Sequence, residues 1–349
     1  MTLKDYGWSA HFEAQLNEED LGTVPVRVMA VHRDALEVAG PGFEGRVLPL
    51  RRNDDEAEAL ATVGDWLLVD VGTQRVTRLL ERRSVFKRKS AGTARRIQLI
   101  AANVDTLLLV TSANQDFNPA RLERYLALSR EAEVAPVVVI TKADLADDVA
   151  DYVAAARGLM PGLLVKALDA RGSDVGRVLA PWIARGQTLA LLGSSGVGKS
   201  TLVNTLSGNA IQATLGIRED DAKGRHTTTG RSLHRLASGA WLMDTPGMRE
   251  LQLVDAAGGI DEVFEDVTQL FAACRFGDCT HATEPGCAVR EALASGALDA
   301  ERLKRYQKLQ REERHNSESI ADSRARAREF GKMAKRVFAE KLRRRDDAR

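Results

Sequence analysis

Cysteine is nearly missing from this sequence: there are three in 349 residues, all between Cys274 and Cys287. That count excludes a disulfide framework. Long apolar runs are missing as well. No stretch approaches the ~20 consecutive apolar residues of a membrane span. Met1–Asp20 is polar and lacks the hydrophobic centre of a secretory signal, so a chain of the cytosol with no membrane partner is expected. Charge of one sign is absent too, since 50 Lys and Arg face 49 Asp and Glu for a net +1. The total therefore points to no polyanionic partner, although local runs still can. Aromatics are scarce at 5%. What the chain does have is 44% hydrophobic residues and a length that suggests about two or three domains.

Residues 1–22 read as a flexible lead-in. From Val24, short β-rich runs punctuated by Gly40, Gly42, Gly45, Gly64 and Gly72 predict about five strands. That density fits a small OB-type barrel over residues 23–90, a fold often used to bind nucleic acid but equally able to serve only for packing. Phe43, Trp66 and Phe86 are its few candidates for base stacking. A basic run follows (Arg78, Arg82, Arg83, Lys87, Arg88, Lys89, Arg95 and Arg96), either a phosphate contact or a solvated linker.

Residues 91–255 alternate strands and helices, which predicts a mostly parallel sheet. Strands are expected at Thr106–Thr111, Pro136–Ile140, Leu163–Val165, Leu189–Leu192, Leu233–Leu236 and Ala240–Met243, with helices over Pro119–Ala132 and Asp148–Arg157. Residues 256–349 read as mostly helical around the cysteines. The chain closes on a basic segment, with eleven Lys and Arg against four acids between Arg324 and Arg349.

The strand Leu189–Leu192 runs into Gly193-Ser194-Ser195-Gly196-Val197-Gly198-Lys199-Ser200, and a helical pattern opens at Thr201. Strand, glycine-rich turn and helix N-terminus are the parts of a phosphate-binding loop. Backbone N–H groups curl around phosphate oxygens and the helix dipole adds positive potential. Lys199 would reach the β- and γ-phosphates, and the Ser200 hydroxyl would ligate Mg²⁺.

The base is chosen elsewhere. Val137–Ile140 runs into Thr141-Lys142-Ala143-Asp144. A carboxylate at Asp144 can accept from guanine N1–H and the 2-amino group, a pattern that adenine lacks, while the stem of Lys142 lies along the base. Thr141 stands where Asn is commoner. Val165-Lys166-Ala167 through Gly172 is similar to the loop whose Ala N–H, here that of Ala167, meets guanine O6; Lys166 replaces the usual Ser. Asp244-Thr245-Pro246-Gly247 supplies a D-x-x-G pattern, with Asp244 on Mg²⁺ through water and the Gly247 N–H on the γ-phosphate. Between it and the phosphate loop, Gly224-Arg225-His226-Thr227-Thr228-Thr229 offers the switch threonine; Thr228 is the expected Mg²⁺ ligand.

Hydrolysis needs a group that orients water. Met248 occupies the position after D-x-x-G where a Gln often does this, so slow intrinsic turnover is expected. His226 is the alternative candidate, unless it is a solvent-facing residue without a role.

Order separates this chain from a standard small GTPase, in which phosphate loop, switch threonine and D-x-x-G precede the two base-reading loops. Here the base-reading loops come first, as in a circular permutation. Behind them, Cys274, Cys279, His281 and Cys287 supply three thiolates and one imidazole, a complete tetrahedral set for one structural zinc.

That order, with a β-rich unit before it and a cysteine cluster behind, resembles the bacterial ribosome small-subunit-dependent GTPase A family. The carriers are T-K-A-D, G-S-S-G-V-G-K-S-T, G-R-H-T-T-T, D-T-P-G-M and the Cys, Cys, His, Cys spacing, across roughly Val24 to Gln310. The resemblance implies a monomeric GTPase that binds the small ribosomal subunit and its rRNA late in maturation, with hydrolysis triggered by the subunit; it also implicates His226. Two other readings remain at this stage: a P-loop ATPase or kinase, and an RNA-binding zinc protein whose nucleotide only stabilises it.

Overall fold

The computed structural model of the protein describes residues 1–317 apart from 33, 50–59, 90–96, 209–230 and 245–250, with residue 89 described through its backbone alone. The basic C-terminal segment therefore lies outside the described residues.

Five strands make the central parallel sheet: β8 (Thr106–Ser112), β9 (Ala135–Thr141), β10 (Leu164–Ala167), β11 (Thr188–Leu192) and β13 (Trp241–Asp244). They lie in the order β10–β9–β8–β11–β13, with β12 (Arg231–Arg235) antiparallel on the edge of β13. Parallel strands covered on both faces read as unbroken apolar runs, as Leu107–Val110 and Pro136–Ile140 do. Alternate residues serve opposite cores. Leu107, Leu109, Val138 and Ile140 face one side. Leu108, Val110, Val137 and Val139 face the other, where Leu202 and Val203 pack.

All six strands expected in this region form. The helices α2 (Pro119–Glu131) and α3 (Val149–Arg157) also match their sequence signals. The Asn118 side chain caps α2 by accepting from the Arg121 N–H at 3.0 Å, with Pro119 at the first helical position.

The N-terminal unit is antiparallel. β1 (Thr23–Val31), β2 (Leu36–Gly40), β3 (Phe43–Val47), β4 (Trp66–Asp70) and β5 (Arg75–Leu79) run in the order β3–β2–β1–β4–β5 around Val26, Val28, Leu36, Val38, Leu67 and Val69. β1 is long enough to take a further partner, β12, through Ala30↔Ser232 and Val31↔Arg231. The β-rich unit and the parallel sheet are thus one continuous eleven-stranded sheet.

Three expectations need correction. The first residues are not a flexible lead-in: Tyr6, Trp8 and Phe12 are buried, and Trp8 and Phe12 pack on Trp66 with ring centroids 4.8 and 5.8 Å away. Their apolar rings have a core to enter, which polar neighbours in sequence conceal. For the same reason Trp66 and Phe86 are core residues, unavailable for stacking on bases. Finally, the described part of the basic run is no linker. β6 (Val85–Lys89) pairs with β7 (Ile97–Ala102), and Arg78, Arg82, Arg83 and Lys87 have partners within the fold, while Arg95 and Arg96 lie outside the described residues. Arg82 donates twice to Asp65 at 2.8 Å, Arg78 meets Asp20 at 2.9 Å, Arg83 pairs with Asp105, and Lys87 lies 3.5 Å from Asp255.

Beyond residue 250 the described chain is helical: α6 (Ala257–Val263), α7 (Glu265–Ala272), α8 (Ala288–Ser295) and a helix over residues 300–317. α6 packs so closely on α2 that a Cβ on Gly259 would sit 2.4 Å from the Ala127 carbonyl oxygen.

Candidate nucleotide site and metal cluster

β11 ends in the loop Gly193–Gly198, which leads into α5 (Lys199–Ser207). Two glycines are required sterically. A Cβ on Gly193 would meet the Val110 carbonyl oxygen at 2.2 Å, and Gly198 caps the helix at φ +89°, in the left-handed region. Lys199 folds over the loop, its ammonium donating to the Gly193 carbonyl at 2.9 Å and to that of Ser194. Ser195 and Gly196 are exposed at the tip, Val197 is buried beneath it, and Ser200 and Thr201 stand half-buried on the first turn of α5. The glycine-rich loop thus runs directly into a helix N-terminus with its tip exposed, the arrangement that binds phosphate.

Thr141, the last residue of β9, is fully buried, and its hydroxyl donates to the Val197 carbonyl at 2.6 Å. The base-reading segment and the phosphate loop are thereby in direct contact, although 56 residues separate them. Lys142 follows in a left-handed conformation (φ 55°), opening the short turn Ala143–Leu145, and Asp144 is exposed there. Ala167 ends β10 beside Ile140, so the second base-reading loop leaves the sheet next to the first. α5 is tied to that loop as well, through the Thr205 hydroxyl and the Ala170 carbonyl at 2.7 Å.

Asp244 ends β13 opposite Ser232 on β12. Burial raises its carboxyl above the ordinary 3.8, and His234 beside it pulls the other way. His226, Thr228 and Gly247, the expected catalytic, switch and γ-phosphate residues, lie outside the described residues. Three contacts had no readable signal in the sequence. They are the Thr141–Val197 tether, the bond from Arg121 on α2 to the Ser194 hydroxyl, and the ion pair between Arg171 and Asp144. Thr141 stood out only as a departure from Asn.

At the far end, Cys274, Cys279, His281 and Cys287 place their ligand atoms within 4.8 Å of one another. The Cys274 and Cys287 sulfurs are 3.9 Å apart, and each lies 3.6 or 3.5 Å from His281 Nδ1. Four atoms at the corners of a tetrahedron with ~2.3 Å metal–sulfur bonds would be spaced by about 3.8 Å, so the donors fit one metal ion. His281 reaches in from a left-handed residue (φ 62°) and stacks on Phe271, with centroids 4.2 Å apart.

The model of the RsgA GTPase family matches residues 79–254, which hold every nucleotide motif described above. The chain belongs to the RsgA GTPase family. A member from Vibrio parahaemolyticus serotype O3:K6, small ribosomal subunit biogenesis GTPase RsgA 2, is 48% identical over 98% of this chain and 94% of its own. Another, small ribosomal subunit biogenesis GTPase RsgA of Mesorhizobium japonicum, is 50% identical over 90% of this chain and 91% of its own. Two solved structures share the fold. YjeQ from Thermotoga maritima has a TM-score of 0.57 at 24% identity, covering 82% of this chain and 97% of its own. YloQ, a circularly permuted GTPase, has 0.57 at 23% identity, covering 89% and 98%. As an RsgA GTPase the chain is a GTP hydrolase, and the permuted order of its motifs is the order of its fold.

Proposed function

We propose that this chain is a GTP-driven factor for late maturation of the small ribosomal subunit, the process named in its relatives, acting in the cytoplasm as a monomer. The observation that carries the reading is the Thr141–Val197 contact, which brings base reader and phosphate loop together. In this reading Asp144, Lys142, Ala143 and Ala167 receive guanine, and Gly193 through Thr201 cradle the phosphates. Mg²⁺, when bound, neutralises charge on the β- and γ-phosphates; Ser200, Thr228 and Asp244 would hold it. Lys199 offsets the same charge from the other side, the Gly247 N–H senses the γ-phosphate, and His226 orients the attacking water.

The four-ligand cluster would take one structural zinc, a closed site with no open position for chemistry. The antiparallel N-terminal unit would be an OB-type barrel that, with the helical domain, meets rRNA. Because the segment after Asp244 runs straight into the helical domain, a nucleotide-dependent movement there would reach that domain directly, favouring docking with GTP and release after hydrolysis.

GTP hydrolysis measured with and without purified small subunits tests this. Stimulation of at least about tenfold is expected, lost in His226→Ala while GTP binding stays near wild type. Turnover that small subunits leave unchanged would sink the switch and favour an RNA-binding zinc protein that nucleotide merely stabilises.

A further inference from the structure

We propose that Arg171 is a positioning residue for guanine selectivity: it braces the Asp144 carboxylate against the neighbouring base-reading loop. The inference rests on the guanine-binding reading above. Asp144 is an exposed residue on a short turn after β9. Left alone, such a side chain samples several rotamers. Reading guanine requires one of them, because both carboxylate oxygens must face N1–H and the 2-amino group together.

Arg171 supplies the constraint. Its Nη2 donates to Asp144 Oδ2 at 3.1 Å. It is itself held in place, because Asp169 Oδ1 accepts from its backbone N–H at 2.9 Å and from its Nε at 3.3 Å. The brace Asp169–Arg171–Asp144 thus crosses from the loop after β10 to the turn after β9. Those segments are already in register: the Leu168 N–H donates to the Ile140 carbonyl at 2.9 Å, and Ala167 pairs with Ile140. The amide expected to meet O6 and the carboxylate expected to meet N1 and N2 are therefore set relative to each other by one guanidinium.

Lys166, which stands where Ser is usual, does not serve this purpose. Its ammonium lies over the Trp182 ring, 5.9 Å from the centroid. Among the described residues, Arg171 is the side chain paired with Asp144. A carboxylate oxygen accepts more than one hydrogen bond, so the brace leaves Asp144 able to take the base. An exposed ion pair can also be incidental, and selectivity tells the two apart.

The experiment measures dissociation constants of the full-length protein for GDP, IDP and ADP, in wild type, Arg171→Ala and Arg171→Lys. IDP lacks the 2-amino group, so the GDP-to-IDP ratio reads the second carboxylate contact. Arg171→Ala is expected to weaken GDP about three- to fivefold and to shrink that ratio by about threefold, at an unchanged melting temperature, with partial recovery in Arg171→Lys. An unchanged ratio, including an equal loss for all three nucleotides, would overturn the brace while leaving guanine binding intact. A wild type that binds ADP as well as GDP would overturn the guanine reading and the brace with it.

Discussion

Arg27 joins the two halves of the protein at the scale of a single residue. It is 1% exposed on β1, yet among the described residues its hydrogen bonds go to carbonyl and hydroxyl oxygens and not to a carboxylate. Its guanidinium donates instead to the Tyr6 carbonyl at 2.5 Å, the Asn103 carbonyl at 3.2 Å, the Gly64 carbonyl at 3.4 Å and the Thr188 hydroxyl at 2.8 Å. Burial lowers its pKa to about 10, so it remains charged at neutral pH. Four acceptors from the N-terminal segment, the β4 turn, the β7–β8 turn and the start of β11 depend on it. Replacing Arg27 with Met keeps much of the volume but takes this donor from the Tyr6 and Asn103 carbonyls, while Asn103 Nδ2 still reaches the Gly64 carbonyl at 3.0 Å. A loss of about 2–4 kcal/mol is expected in urea denaturation, and an unchanged midpoint would refute this role. Thr141 works on the same scale nearer the chemistry: its hydroxyl ties the end of β9 to the phosphate loop through the Val197 carbonyl.

At the scale of elements, α2 links the phosphate loop to the helical end of the chain. Its first turn touches Ser194 through Arg121. One turn on, Arg124 donates to the Leu251 carbonyl at 3.2 Å, where the chain leaves the segment after Asp244, and pairs with Glu312. Beside it Glu123 is fully buried and accepts from Arg302 at 2.8 Å and Arg305 at 2.7 Å. Arg302 continues to Asp266 at 2.9 Å and lies over Phe264, 4.3 Å from the ring centroid. Arg302→Ala would take one of its two arginine partners from the buried Glu123, at a cost of about 3–5 kcal/mol. Limited proteolysis of the 300–317 helix should accelerate accordingly.

The other end of α2 carries a pH-dependent residue. Burial first, then Asp255, Glu313 and Glu133, raise Glu131 from 4.5 to about 7 against the pull of Lys87. The folded state therefore binds a proton that the unfolded chain releases near 4.5. This residue's contribution is complete below that pH and is lost as pH rises through 7. Glu131→Gln should melt higher than wild type at pH 8 and level with it at pH 5; equal melting temperatures at pH 8 would refute this.

Across the whole molecule, the β1–β12 pairing makes one sheet of what the sequence divides into two units, and α2 fastens the helical end to the other side of that sheet. The cysteine cluster has little core of its own: Cys287 is buried in the main hydrophobic core, while Cys274, Cys279, Phe271 and Leu270 only flank it. A metal ion would supply the missing stability, since ligation and folding are coupled in such small sites. Stripping the metal with a chelator should expose residues 274–287 to protease and reduce far-UV ellipticity, while nucleotide binding survives on the central sheet. Unchanged ellipticity and protease resistance would mean that the cluster is no metal site.

The amino-acid sequence by itself determined the parallel sheet, the phosphate loop, the permuted order and the four metal-ligand candidates. Each is written in local spacing: unbroken apolar runs, glycines at fixed intervals, donors within fourteen residues. Only the tertiary structure decided what Trp66, Arg27, Thr141 and Arg171 do. Their distant partners lie from 21 to 161 residues away, and whether a tryptophan stacks on a base or fills a core, or an arginine meets solvent or a carboxylate, depends on which strands become neighbours. Local pattern carries no record of that choice, because the contacts are made by the sheet order and not by the chain.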